Sequence, residues 1–188
     1  MPWYQLLKGV HLLGLVPLAG VFVIYLRAGP RLRAASTLHD VRSWLGLLEL
    51  TRGMFHAGAA MMLVSGAVMA GLQWRAPHPF IAVGMITLLA MWIAFALTAS
   101  RHLRAMRAAV GTGDGAIVPT LAETIRTPLP WITMFAINFA AVGLIFLMTL
   151  KLGWGGAIAL VLVLAALGVF AGRAATRREL TTDAAPSR

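Results

Sequence analysis

The sequence predicts an all-α integral membrane bundle of five transmembrane helices, with the N-terminus outside and the C-terminus in the cytoplasm. Three observations lead to this fold class. Only 12% of the 188 residues are charged, which is about half the fraction found in a soluble domain. Five apolar segments reach the roughly 20 residues that a bilayer requires. Basic residues alternate between the loops in the manner that orients membrane proteins.

The five transmembrane helices are predicted to form a single domain over residues 1–180. Their expected bounds are about 5–27, 38–73, 79–108, 129–151 and 153–176. The second helix should begin at Leu38, because Thr37 and Asp40 have the spacing of a capping box. Residues 181–188 are predicted to form a disordered tail.

A short cytoplasmic helix is predicted between the third and fourth transmembrane helices, at about 120–127. Thr120 and Glu123 have the spacing of a second capping box, and Pro119 precedes them. The short helix should end before Pro128, because a proline restricts the residue before it and lacks a backbone N–H.

Arginine is concentrated in the loop after helix 1, the loop after helix 3 and the C-terminal tail. The loops after helices 2 and 4 contain only Arg75 and Lys151 as basic residues. The positive-inside rule therefore places the arginine-rich segments in the cytoplasm, which predicts a multi-pass protein of a bacterial inner membrane. The net charge of +10 fits contact with anionic lipid. Nucleic acid is not an expected partner, because no soluble basic face is available to contact it.

Histidines inside the predicted helices are the candidate ligands, because ionisable residues in a membrane are costly and usually functional. His11 lies about two turns from the outer end of helix 1, and Lys8 precedes it by three residues. On helix 2, Glu49, Arg52 and His56 share one face. These residues indicate haem b, with His11 and His56 as axial ligands and with Arg52 and Lys8 near the propionates.

His102 is a weaker candidate metal ligand, since it lies among arginines at the cytoplasmic end of helix 3. At 1.5 Å per residue, the expected depths from the outer helix ends are about 10 Å for His11, 23 Å for His56 and 33 Å for His102. Two of these histidines would need helix tilt, or a kink at Pro17, to share one iron. One haem per histidine avoids that requirement, and a histidine that only hydrogen-bonds to a neighbouring helix also fits these positions.

Two segments resemble parts of known membrane proteins: Leu6-Leu-Lys-Gly-Val-His11-Leu-Leu-Gly and Leu63-Val-Ser-Gly66-Ala-Val-Met69-Ala. They are similar to the first and second helices of a loose group of small bacterial proteins. The group comprises the DUF2269-like proteins, the CopD copper-resistance domain and the HemJ-type protoporphyrinogen oxidases, and the resemblance covers about the first 75 residues. It implies a haem- or copper-handling bundle, with His11 as the haem ligand. The chain lacks the aromatic-rich stretch that follows helix 1 in HemJ-type proteins, so protoporphyrinogen oxidation is not expected.

The leading hypothesis is a haem-b-binding membrane protein that acts in electron transfer, alone or within a respiratory-type complex. If the chain is an enzyme, it is an oxidoreductase or its electron-transfer subunit, with a quinone or cytochrome as redox partner. No catalytic residue is assigned, and the absence of cysteine excludes iron–sulfur clusters. Besides the lipid bilayer, further copies of the chain or other membrane subunits are the expected partners.

Three alternatives remain open at this stage. Ten methionines permit copper handling or transport, because thioethers suit Cu(I), although methionine also packs well between helices. A cofactor-free structural subunit would use the small-residue faces of the helices for docking. The third alternative is a histidine-ligated, chlorophyll-type pigment.

Overall fold

The computed structural model describes residues 2–73, 78–112 and 115–183, and these ranges are helical apart from short connections. The helices are α1 (Pro2–Leu13), α2 (Leu15–Arg33), α3 (Leu38–Gln73), α4 (Pro79–Leu97), α5 (Ala99–Ala109), α6 (Pro119–Arg126), α7 (Pro128–Leu150) and α8 (Trp154–Asp183). In the ranges described, β pairing is confined to one bridge between Thr37 and Ala116.

Among the described residues, five helical runs are long and apolar enough to cross a membrane. They are Trp3–Arg33, Leu38–Gln73, Pro79–Ala109, Pro119–Leu150 and Trp154–Arg177. This confirms the predicted all-α fold with five helices of transmembrane length. The last helix continues to Asp183, past the expected start of the disordered tail. The rest of that tail, residues 184–188, and the loop containing Arg75 lie outside the described residues.

The first span is interrupted at Gly14, between α1 and α2. Pro17 has no backbone N–H, so the carbonyl of Leu13 loses its helical partner four residues later. The N–H of Gly14 instead donates to the carbonyls of Val10 and His11, at 3.1 and 3.2 Å. Pro17 is the potential kink that the sequence indicates. The helix is interrupted at Gly14, about one turn before this proline.

The third span is also interrupted, at Thr98 between α4 and α5. Thr98 has φ −111° and ψ −81°, and its hydroxyl donates to the carbonyl of Ala94 at 2.6 Å. Such threonine bonds to the preceding turn commonly bend helices. The sequence predicts one continuous helix here, and the interruption allows α5 to bury Leu103 and Met106 while its arginines stay outside.

The starts of α3 and α6 test the two predicted capping boxes. The Thr37 hydroxyl donates to the Asp40 carboxylate at 2.8 Å, and the Asp40 N–H donates back to that hydroxyl at 3.2 Å, so the first box is confirmed. The prediction for Thr120 and Glu123 is wrong, because α6 begins at Pro119 without a side-chain cap. Proline is suited to the first helical position, since its φ is fixed and it has no N–H to satisfy.

Small residues bring neighbouring helices into close contact. A Cβ atom on Gly58 of α3 would lie 2.8 Å from the carbonyl oxygen of Gly14, and one on Gly168 of α8 would lie 2.7 Å from the Cα of Ala136. In a membrane such close backbone approach supplies much of the packing energy between helices. The Gly14–Gly58 crossing also fixes the height of α1 against α3, and therefore the height of His11.

The loops that follow the first and third spans meet at one end of the bundle. The N–H of Leu38 donates to the carbonyl of Gly115 at 3.1 Å, and the guanidinium of Arg42 donates to the carbonyl of Gly111 at 3.0 Å. Two of the arginine-rich segments therefore lie together, as a common cytoplasmic side would require.

Candidate functional site

A cavity of about 470 Å³ lies between α1, α3, α4 and α7. This volume falls within the range of small-molecule and cofactor sites, which are mostly apolar with a few polar groups. The polar residues that line it are Tyr4, Lys8, His11, Thr149 and Lys151. Two of the residues singled out in the sequence, His11 and Lys8, therefore line the same cavity.

Two glycines admit large side chains to the walls of the cavity. A Cβ on Gly66 of α3 would lie 3.2 Å from Cε1 of His11, and a Cβ on Gly84 of α4 would collide with the methyl group of Met148. Glycine at these positions therefore leaves room for the imidazole ring on one wall and for a thioether on another.

Ser65 of α3 holds the imidazole of His11. Nδ1 of His11 lies 3.0 Å from the Ser65 hydroxyl oxygen, and that hydroxyl also bonds to the carbonyl of Met61. A carbonyl can only accept, so the single hydroxyl proton of Ser65 is donated to Met61. The hydroxyl must then accept from Nδ1–H of His11, so the lone pair of the neutral ring is on Nε2.

A histidine fixed in this way has the arrangement of a metal-ligating histidine. Such ligands almost always donate their second ring N–H to a carboxylate, a carbonyl or water, which fixes the tautomer and orients the ring. Here the hydroxyl of Ser65 is the acceptor. Ser65 is only 3% exposed, so the bond is shielded from competing solvent. Of the sequence candidates, His11 is thus the one presented to a cavity with an available donor atom.

Two lysines give the cavity a positive charge. Lys8 lies one turn before His11 on α1, and Lys151 follows the last residue of α7. Lys151 has φ 50° and ψ 46°, a left-handed conformation that helix ends usually assign to glycine or asparagine. The second cation at the cavity is therefore carried by a residue whose backbone conformation is unfavourable for lysine.

Four methionines also line the cavity: Met62, Met69, Met85 and Met148. They come from α3, α4 and α7, and they surround the same space that His11 faces. The ordinary packing role of methionine explains part of this lining. Thioether and imidazole donors in one cavity are nevertheless also the ligand types that bind Cu(I).

His56 has the opposite tautomer. The indole N–H of Trp92 on α4 donates to Nδ1 of His56 at 2.6 Å. An indole can only donate, so Nδ1 carries the lone pair and the neutral ring carries its proton on Nε2. The ring of Phe95 packs edge-on against it at 5.8 Å between centroids. His56 therefore has no lone pair left with which to bind a metal.

The structure does not bring His11 and His56 together. His11 lies at the height of Ser65 and Gly66, nine or ten residues further along α3 than His56. At 1.5 Å per residue this separates the two by about 14 Å along the helix axis, so one iron cannot bind both. Arg52 lies a further turn away and does not line the cavity, which separates it from any propionate of a haem bound to His11.

The predicted Glu49–Arg52–His56 stripe lies on α3, but its acidic residue pairs with a different helix. Glu49 forms its ion pair with Arg107 of α5, at 3.8 Å, rather than with its own neighbour on α3. His102 lies beside the ring of Trp131 at 6.1 Å between centroids and outside the cavity lining. In the described ranges, no group of three His, Cys, Asp or Glu side chains could hold a metal ion.

Ser65, Trp92, Met148 and Lys151 contribute to these sites, although the sequence does not single them out. Ser65 follows His56 by nine residues on the same predicted helix, so its pairing with α1 depends on helix register that no local pattern shows. Lys151 is the one basic residue of a loop that is otherwise without them, and this isolation is the signal that could have identified it.

Comparison with known proteins finds no matching family model, no similar curated protein and no similar solved structure. The resemblance of the first 75 residues to small haem- and copper-handling proteins therefore stays a prediction.

Proposed function

We propose that this chain is a membrane haem-b protein that acts in electron transfer, with His11 as an axial ligand of the iron. The observation that carries the proposal is the Ser65–His11 hydrogen bond, which leaves Nε2 of His11 free to coordinate at an apolar cavity. His11 is the one histidine among the described residues that line this cavity, so the proposal assigns one haem to His11 and none to His56.

The size and charge of the cavity favour haem over a bare metal ion. A volume of about 470 Å³ is far larger than one ion needs, whereas it suits a planar macrocycle with mostly apolar edges. Lys8 and Lys151 supply cations for two propionate groups, in place of Arg52. Charge-assisted hydrogen bonds of this kind are about twice as strong as neutral ones.

The role of the protein would be to hold the iron, adjust its reduction potential and place it near a redox partner. One of the methionines that line the cavity would be a candidate second ligand, and a histidine–methionine pair would raise the potential of a haem held there. A quinone or a cytochrome in the same membrane would exchange electrons with it. Other membrane subunits or further copies of the chain would cover part of its apolar surface.

The proposed topology is N-out and C-in, in a bacterial inner membrane. It is supported by the meeting of the first and third loops at one end of the bundle, which gathers arginines on the side that the positive-inside rule assigns to the cytoplasm. The cavity then opens near the outer side, at the height of the N-terminal half of α1.

Copper handling is the second candidate, and it rests on the four methionines that share the cavity with His11. Against it, two lysines would repel Cu(I) in a medium of low dielectric constant. Metal analysis of the purified protein separates the two candidates. Copper bound in equal amount to protein, with no haem, would favour the second.

The direct test is a dithionite-reduced spectrum of the protein purified from a membrane that contains haem. We expect the sharp α-band of a b-type haem, with about one haem per chain by the pyridine haemochrome assay. A spectrum without this band would contradict the haem proposal. A chlorophyll-type spectrum would assign the cavity to a pigment, and a pure protein with neither haem, copper nor pigment would point to a structural subunit.

A further inference from the structure

We infer that the face of α3 and α5 that carries Arg52, His56 and Arg104 binds the phosphate of an anionic phospholipid. This site lies away from the His11 cavity and does not depend on the proposed haem. The inference rests on hydrogen-bond donors that the described part of the chain leaves without acceptors, at the depth where phospholipid headgroups lie.

His56 contributes one donor. Because Trp92 donates to Nδ1 at 2.6 Å, the proton of the neutral ring is on Nε2. No hydrogen bond joins this Nε2–H to any residue in the described ranges. The ring is partly exposed at the edge of α3, so an acceptor from outside the protein can reach it.

Arg52 contributes a charge beside that donor. It precedes His56 by four residues, so the two side chains lie on the same face of α3. Across the described residues, no hydrogen bond or ion pair engages its guanidinium, which is partly exposed. Glu49, the nearest acidic residue along the helix, is instead paired with Arg107 at 3.8 Å.

Arg104 of α5 adds a second cation at the same height. It precedes Arg107 by three residues and so lies on the adjoining part of the same helix face, one turn nearer the membrane centre. The helices α3 and α5 run in opposite directions, and Glu49 and Arg107 are paired between them. Arg52 follows Glu49 by one turn and Arg104 precedes Arg107 by one turn, so Arg52 and Arg104 lie at the same height. One carboxylate thus stands among three guanidinium groups, which leaves an excess of positive charge.

The depth of the site matches a lipid headgroup. Arg52 and the end of α3 at Gln73 are 21 residues apart, about 32 Å along the helix. This is close to the roughly 30 Å of a hydrocarbon core, so Arg52 lies at the boundary of the arginine-rich end. Above it, α4 exposes the apolar side chains Leu97, Ile93 and Leu89, along which an acyl chain can lie.

Anionic phospholipid satisfies all of these features together. Its phosphate accepts hydrogen bonds from Arg52, Arg104 and the Nε2–H of His56, and its chains cover the apolar face of α4. Basic clusters beside transmembrane helices are known to attract anionic lipids, at about 1 kcal/mol, or about fivefold in affinity, for each basic residue. A free phosphate ion would satisfy the donors but would leave the apolar face uncovered.

The test compares spin-labelled phosphatidylglycerol with spin-labelled phosphatidylcholine by electron paramagnetic resonance, using the protein reconstituted in phosphatidylcholine vesicles. The fraction of immobilised label gives the preference for the anionic lipid. The variants are R52Q, R104Q and the double variant R52Q/R104Q. Arg177→Gln is the matched control, because it removes one exposed arginine from α8, away from the site.

We expect the wild-type protein and R177Q to share the same preference for phosphatidylglycerol. Each substitution at the site should lower that preference about fivefold, and the double variant should approach no preference. Arg104 is exposed, so R104Q should fold and provides the test on its own if the double variant cannot be reconstituted.

Two results would overturn the inference. An equal loss in R177Q and R104Q would show diffuse attraction by net charge instead of a site. Displacement of the labelled lipid by inorganic phosphate, beyond the effect of chloride at equal ionic strength, would assign the donors to a free anion.

Discussion

Replacing Ser65 with alanine removes the acceptor that holds Nδ1–H of His11 at 3.0 Å. The imidazole then has no partner to fix its tautomer or its direction, because Ser65 is 3% exposed and solvent cannot take the place of its hydroxyl. Loss of such a supporting bond typically lowers metal affinity by 10- to 100-fold. That corresponds to about 1.4–2.7 kcal/mol, which agrees with the roughly 1–3 kcal/mol cost of an unsatisfied buried donor.

The fold itself should change little in this variant. Alanine has the highest helix propensity, which offsets up to about 0.5 kcal/mol of the lost hydrogen bonding. Haem titration of the cofactor-free protein, followed by absorbance, measures the affinity, and a thermal melt measures the stability. Ser65→Thr is the matched control, because it keeps a hydroxyl that can bond to Met61 and accept from His11. Unchanged haem affinity in S65A, together with lost binding in a His11 variant, would refute the supporting role of Ser65.

Three further predictions concern other contacts. Trp92→Phe removes the donor to His56 and should lower stability by about 1 kcal/mol in a thermal melt, while haem content stays unchanged; reduced haem content would show that His56 takes part in binding. Lys151→Gly should stabilise the fold by roughly 1 kcal/mol, because glycine adopts the left-handed conformation without cost. The same substitution removes a cation and should weaken haem binding about twofold to fivefold in a titration. Unaltered binding would show that Lys151 does not belong to the site. Gly58→Ala puts a Cβ 2.8 Å from the Gly14 carbonyl oxygen and should cost about 1–3 kcal/mol in a thermal melt; Gly53→Ala meets no atom within 4 Å and serves as its control.

Much of the fold follows from the sequence because a bilayer leaves few choices. The apolar length of each segment predicts a spanning helix, and Thr37 with Asp40 sets the start of α3 through local hydrogen bonds. The interruptions at Gly14 and Thr98 were harder to predict. Pro17 indicates only that a helix is weakened nearby, and the bond from Thr98 to Ala94 is one of several that a threonine can form.

The candidate site could be predicted only in part. Rarity of ionisable residues in apolar segments was enough to single out His11, Lys8, Arg52 and His56, because each is costly in a membrane. Which of them meet depends on the register between helices, and this is set by contacts such as Gly14 with Gly58. The same residues therefore separate into a cavity around His11 and a partly exposed edge around His56.

The central claim is that His11 presents a free nitrogen to the cavity whereas His56 does not. Reduced-minus-oxidised spectra of His11→Ala and His56→Ala, purified side by side with the wild-type protein, test this claim most directly. We predict that the b-type α-band disappears in H11A and keeps its wild-type height in H56A. A band that survives in H11A and disappears in H56A would contradict the claim.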